Sequence, residues 1–193
     1  LQIVKQYSDD RENEILFDDH NIIVSGMGVA LSHFFTGSGS LNVLDYHLDR
    51  FQVGVSGASG AEVDSTFSLS GPLVTESEYG GNNSNLLLSN DKPLENGIVL
   101  GTTKLFGLIP FSHVTRIDDT SVRFTIVLDE GAANTVNFAA GNVGLPINEI
   151  GLFMSNPLGT VAEKNPLLVA YRHFSDIVKT SEFSLIFRWT INF

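Results

Sequence analysis

The chain has 193 residues, of which 42% are hydrophobic and 17% are charged, enough apolar material for one folded domain with a sizeable core. Its 22 acidic and 11 basic side chains give a formal net charge of −11, so its field repels phosphate backbones and we expect no nucleic-acid partner. The absence of cysteine excludes disulfides, thiolate metal sites and cysteine nucleophiles, and since no apolar run approaches the roughly 20 residues of a spanning helix, we expect no membrane partner.

The N-terminal region begins with acidic clusters separated by short apolar pairs, so we interpret residues 1–20 as an arm or edge segment. The remainder, residues 21–193, is predicted to form a single domain. Its first elements are predicted as two strands, over residues 21–24 and 28–35. The break between them at residues 25–28 contains two glycines, which interrupt strands at bulges and turns.

Short extended runs continue at residues 50–55 and 66–70, and the most polar, turn-rich stretch of the chain follows at residues 75–97. We predict a long surface loop there, with room for one short strand within it. An aromatic ring flanked by amides suits a sugar, because the ring offers an apolar face and the amides offer hydrogen-bonding groups. The candidate ligand-binding residues in this loop are Tyr79, Asn82, Asn83 and Asn85.

A β-hairpin is predicted in the second half, from residues 111–117 and 121–128. The connecting residues 118–120 are Asp-Asp-Thr, which are turn formers. In the second run, apolar and polar residues alternate with the period of two that indicates a half-buried strand. The residues predicted to face the core are Val122, Phe124, Ile126 and Leu128.

The strongest alternation in the chain occupies its last eleven residues, and it predicts a principal core strand. Full burial of each large apolar side chain stabilises the fold by on the order of 2 kcal/mol. The predicted core residues are Phe183, Leu185, Phe187, Trp189, Ile191 and Phe193. Since the last of these ends the chain, we expect the carboxyl terminus to be held in place rather than frayed.

Two further runs, residues 147–154 and 166–174, are bounded by Pro, Gly or Asn and are also predicted as strands. Strands at this spacing, with no helical periodicity between them, predict an all-β fold. We expect an antiparallel β-sandwich of jelly-roll-like form.

Candidate metal ligands occur at two places. In a strand, Asp45, His47 and Asp49 would share one face, but a solvent-facing polar edge is the better interpretation. A second set of carboxylates could supply the oxygen ligands of calcium, yet its spacing is not that of an EF-hand loop, and a solvated acidic arm explains it better. This second set is Asp9, Asp10, Asp18 and Asp19. We therefore predict no metal and no cofactor.

Catalytic patterns are missing from the sequence. Residues 54–60 have the residue types of a nucleophile elbow at the wrong spacing. Asp118 and Asp119 could be imagined as an acid and a base, but adjacent residues at a strand end point apart, and turn formation explains them. We predict no catalytic residue and no enzymatic activity.

The second half carries a succession of motifs at residues 112–124, 147–153, 168–174, 177–180 and 185–193. They are a hairpin, a Glu-Ile-Gly-Leu-Phe strand, a Val-Ala-Tyr strand, a lysine-containing turn and a terminal tryptophan-containing strand. This succession resembles a pattern found in tail, baseplate, fibre-attachment and other virion proteins of tailed bacteriophages. The first 110 residues carry no such resemblance.

The resemblance implies a structural protein of the virion, in the tail, baseplate, neck or capsid exterior, with copies of itself and other virion proteins as partners. It carries no catalytic role, and its residues are structural by pattern as well, since Gly151 allows close backbone approach within a strand. Interfaces would come from strand edges, the N-terminal segment and the loop at 75–97. The alternative is a carbohydrate- or receptor-binding sandwich module with a host surface glycan as its ligand.

Overall fold

The computed structural model describes residues 1–20, 22–36, 47–55, 57, 68–70, 86–88, 105–137, 142–143, 146–154 and 166–193. The elements in chain order are β1 (Gln2–Tyr7), β2 (Glu14–Asp18), β3 (Ile22–Ile23), α1 (Ser25–Thr36), β4 (Leu48–Gly54), β5 (Leu86–Leu88), β6 (Leu105–Leu108), a 3-10 helix (Phe111–His113), β7 (Val114–Arg116), β8 (Ser121–Leu128), β9 (Val136–Asn137), β10 (Asn142–Val143), β11 (Ile147–Met154), β12 (Leu167–Ile177) and β13 (Phe183–Asn192). No helix in these ranges is long and apolar enough to cross a membrane.

The strands form two large antiparallel sheets and one small one. The first sheet has the order β2-β1-β13-β8-β7, the second has the order β3-β12-β11-β4-β6-β5, and β9 pairs with β10. Side chains from both large sheets meet in one core, where the rings of Phe174 and Phe187 lie 6.2 Å apart. The predicted all-β antiparallel sandwich is confirmed, while its jelly-roll form stays a prediction.

Strand β13 is the centre of the five-stranded sheet and pairs with β1 on one side and β8 on the other. Its inward side chains are almost fully buried, and those of β8 pack beside them, with Val122 partly buried at the margin. Phe193 was predicted to be a core residue, and this was wrong because 71% of its surface is exposed. Its N–H still donates to Thr120 O at 2.8 Å, but β13 ends at Asn192, so the ring lies beyond the packed part of the sheet.

The predicted hairpin is confirmed as β7 and β8, which pair antiparallel. Its first strand is shorter than expected, because Phe111–His113 forms a 3-10 turn. In the connecting turn, Asp118 Oδ1 accepts a hydrogen bond from the Thr120 N–H at 2.7 Å. This bond holds the pKa of Asp118 below its usual value, as expected for a turn carboxylate.

The predicted strand at residues 28–35 was wrong, because Ser25–Thr36 is the helix α1. Its buried residues, Met27 and Ala30, follow the buried Val24 at intervals of three, which is helical spacing. The helix packs on β12. Gly26 permits the contact: a Cβ there would come far inside 3.0 Å of the Leu168 carbonyl oxygen, closer than real Cβ atoms approach.

Residues 1–20, interpreted from the sequence as an arm or edge segment, contribute two strands to the five-stranded sheet. β2 is an edge strand, and β1 lies between it and β13. Ile3 is fully buried in the core, whereas Ile15 on β2 is 60% exposed. The edge description therefore applies to β2, and residues 2–7 belong to the interior of the sheet.

Candidate functional site

The glutamate of the Glu-Ile-Gly-Leu-Phe motif is a buried group within the six-stranded sheet. Glu149 is fully buried in β11, and its Oε2 accepts hydrogen bonds from the Tyr171 hydroxyl at 2.8 Å and the Ser70 N–H at 2.9 Å. A buried carboxylate needs such donors, because its desolvation is otherwise costly. The arrangement ties β11, β12 and the 68–70 segment together.

A second polar contact, one residue earlier, holds another loop to the same strand. The Asn148 side chain accepts from the Gly57 N–H at 2.8 Å and donates to the Gly57 carbonyl at 3.3 Å. It also donates to Asp176 Oδ1 on β12 at 3.0 Å. These bonds hold the backbone at Gly57 against β11 and join β11 to β12.

The lysine of the turn before β13 is also directed inward. Lys179 is fully buried, and its Nζ donates to Thr180 O at 2.9 Å, Asn134 Oδ1 at 3.1 Å and Glu130 O at 3.4 Å. Burial lowers its pKa from the ordinary 10.5 to about 8, against the opposing charges of Asp129 and Glu130. Lys179 thereby fastens the loop after β8 to the start of β13.

The predicted sugar-binding residues Tyr79, Asn82, Asn83 and Asn85 lie outside the described residues, and so does Asp45. Of that metal candidate's other members, His47 Nε2 lies 3.4 Å from Asp49 Oδ2. The Asp49 carboxylate also accepts from Arg50 Nε at 2.9 Å. Across the described ranges, no three His, Asp or Glu side chains are placed to hold a metal ion.

The acidic residues near the N-terminus have separate partners. Asp9 accepts from Arg11 Nε at 2.8 Å, and this bond lowers the pKa of Asp9. Asp19 accepts from the His20 N–H at 2.7 Å, which lowers the pKa of Asp19, and it pairs with Arg172 at 2.6 Å. Asp9 and Asp19 therefore each form an ion pair with an arginine of the same chain.

A cleft of about 470 Å³, open to solvent, lies on the outward face of the five-stranded sheet. It extends from the end of β2 across β1 and β13 to β8. Its polar and charged lining residues are Gln2, Asp18, Asp19, His20, Arg123, Arg188, Thr190 and Asn192.

The two arginines of the cleft have neutral hydrogen-bond acceptors. Arg188 Nη1 donates to Gln2 Oε1 at 3.1 Å, and the Gln2 amide in turn donates to Asp18 Oδ2 at 3.0 Å. Arg123 Nε donates weakly to Thr190 Oγ1 at 3.4 Å. Within the described part of the chain, neither guanidinium lies within 4.0 Å of a carboxylate.

The chain matches no known family model, no curated protein and no solved structure. The candidate functional groups are therefore those that its own geometry brings together.

The cleft was missed by sequence reasoning, although a signal for it exists. Arg123 and Arg188 occupy the polar positions between core residues of β8 and β13, so their outward orientation follows from the alternation. The pairing of β13 with both β8 and β1 brings them beside Gln2. That pairing joins distant parts of the chain, and periodicity alone does not reveal it.

Proposed function

We propose that the chain is a non-enzymatic structural protein of a tailed-bacteriophage virion. It assembles in multiple copies in the tail, baseplate, neck or capsid exterior. The observation that carries the proposal is that the motifs of the resemblance coincide with the framework of the sandwich. They contain β7 and parts of β8, β11, β12 and β13, which include the central strand of one sheet and two adjacent inner strands of the other.

The polar residues of those motifs also support a structural role. Glu149 and Lys179 are fully buried, and their side chains bond to loops of the same chain. A catalytic carboxylate or amine needs access to a substrate. These two groups instead hold loop segments against the strands, as expected of a structural protein.

The edges of the five-stranded sheet offer surfaces for assembly. Among the described strands, β2 (Glu14–Asp18) has a neighbour on one side only, and its Ile15 is 60% exposed. An unpaired strand edge readily accepts a strand from another chain. Copies of this protein are proposed to associate there, and closed symmetry is the default for such assemblies.

The test compares assembly of the wild-type chain with that of two variants in sedimentation equilibrium over a concentration series. Ile15→Lys places a charge on the edge strand and is expected to shift the protein to a smaller species. Val178→Lys is the matched control, because Val178 is 55% exposed but lies outside the strands, and it should assemble normally. Mass spectrometry and antibody labelling of purified particles should find the chain in the virion. A wild-type monomer at every concentration, together with particles lacking the chain, would overturn the proposal.

A further inference from the structure

We infer that the cleft on the five-stranded sheet binds an acidic saccharide, whose carboxylate is held by Arg123 and Arg188. This site goes beyond the proposed structural function and does not depend on it. Its residues are also different from the loop residues that were predicted from the sequence to bind a sugar.

The two arginines are neighbours because of the strand register. Thr190 pairs with Arg123, and Arg188 pairs with Thr125, so the arginines occupy diagonal positions on adjacent strands. Diagonal side chains on one face of an antiparallel pair have Cα atoms about 7–8 Å apart. The long side chains can therefore approach one small anion from two sides.

Among the residues that the structure describes, Arg123 and Arg188 are the two arginines without an acidic partner. The chain has six arginines and an excess of carboxylates. Arg11, Arg50 and Arg116 each pair with an aspartate on their own segment, and Arg172 pairs with Asp19. The remaining two both line the cleft.

Within the described ranges, most of the hydrogen-bonding capacity of these two arginines is unused. A guanidinium has five N–H donors, and each of the pair donates one of them to a neutral acceptor. Gln2 bonds to both Arg188 and Asp18, and in the described part of the chain Asp18, which also lines the cleft, forms no ion pair with the arginine. The cleft therefore retains donors for an outside anion.

The shape and chemistry of the cleft favour a hydrophilic ligand. A planar carboxylate matches the forked geometry of guanidinium, and hydroxyl groups match the hydrogen-bonding side chains of Thr190 and Asn192. Its volume of about 470 Å³ falls within the roughly 300–1,000 Å³ of ligand pockets. Because the site is open to solvent, binding should be weak and should fall with rising salt.

The experiment is ligand-observed saturation-transfer NMR on the full chain, which works in any oligomeric state. Glucuronic acid is the probe, glucose is the neutral sugar of the same shape, and acetate is the bare carboxylate. Glucuronic acid is expected to bind at least tenfold more tightly than either, because glucose lacks the carboxylate and acetate lacks the sugar hydroxyl groups.

Two substitutions locate the site. Arg123→Gln and Arg188→Gln should each weaken glucuronic acid binding about tenfold, as expected for loss of a charge-assisted bond. Arg116→Gln removes the same charge from the β7–β8 turn and should leave binding unchanged. Circular dichroism checks that each variant is folded, and salt titration of the wild type provides a readout that needs no variant.

Three results would overturn the inference. The first is glucuronic acid binding no better than glucose, and the second is binding that is equal in the cleft variants and the Arg116→Gln control. The third is acetate binding as tightly as glucuronic acid. That result would show a simple anion site and refute the inference that the ligand is a saccharide.

Discussion

Two glycines of α1, Gly26 and Gly28, should respond oppositely to replacement by alanine. The added methyl group should lower the free energy of unfolding at Gly26, where α1 contacts the six-stranded sheet, and raise it at Gly28. In Gly26→Ala, the new Cβ would come far inside 3.0 Å of the Leu168 carbonyl, a backbone atom of β12 that cannot rotate away. The helix must therefore move off the sheet. Such overpacking costs about 1–3 kcal/mol of unfolding free energy.

Gly28→Ala is the matched control, two residues along the same helix, because a Cβ there would meet no atom within 4 Å. Replacing a helical glycine by alanine then stabilises the protein by about 0.5–1 kcal/mol. The two variants should differ by roughly 1.5–4 kcal/mol, the sum of these two effects.

The difference can be measured by urea unfolding followed by tryptophan fluorescence. Trp189 is the only tryptophan and is fully buried in the main core, so its signal reports global unfolding. Equal stabilities for the two variants, or a more stable Gly26→Ala protein, would refute the close approach of α1 to β12.

Two interior polar groups give further predictions. The pKa of Lys179 is about 8 in the folded state, below the unfolded value of 10.5. Between these pH values the unfolded chain binds more protons than the folded one. The free energy of unfolding of the wild type should therefore rise by up to about 3 kcal/mol as the pH increases through this window. Lys179→Met should lack this rise when urea unfolding is compared at pH 7.5 and 10, and parallel pH profiles for the two proteins would contradict the assignment. Tyr171→Phe removes a donor from the buried Glu149 and should destabilise by about 1–3 kcal/mol. In a double-mutant cycle with Glu149→Gln, the two effects should not add, and simple additivity would contradict the contact.

The strands were predictable wherever one face of a sheet is buried and the other is not. β13 and β8 show this clearly, because their buried and outward residues alternate and the sequence repeats that period. The hairpin turn was predictable for a local reason as well, since Asp118 closes it with its own neighbours.

The helix was not predicted because its glycines look like strand breakers. At Gly26 the missing side chain serves close packing against Leu168, a requirement set by a strand more than a hundred residues later in the chain. The cleft was not predicted for a similar reason. Its residues Gln2, Arg123 and Arg188 are far apart in sequence and become neighbours only through the pairing of β13 with β1 and β8. Local patterns therefore indicated the elements but not the contacts between them.

The two sheets differ in what covers them, and this difference determines where the protein can display chemistry. In β11, seven of eight residues are buried, because Leu69 of the 68–70 segment packs with Phe153 on one face while the main core covers Ile150 and Leu152 on the other. Polar groups on that strand, such as Glu149, are consequently committed to internal bonds. The five-stranded sheet has solvent on its outer face, where Arg188 remains exposed on the same strand that buries Trp189. Among the described residues, a ligand or partner that needs charged groups is therefore expected at this outer face and its β2 edge.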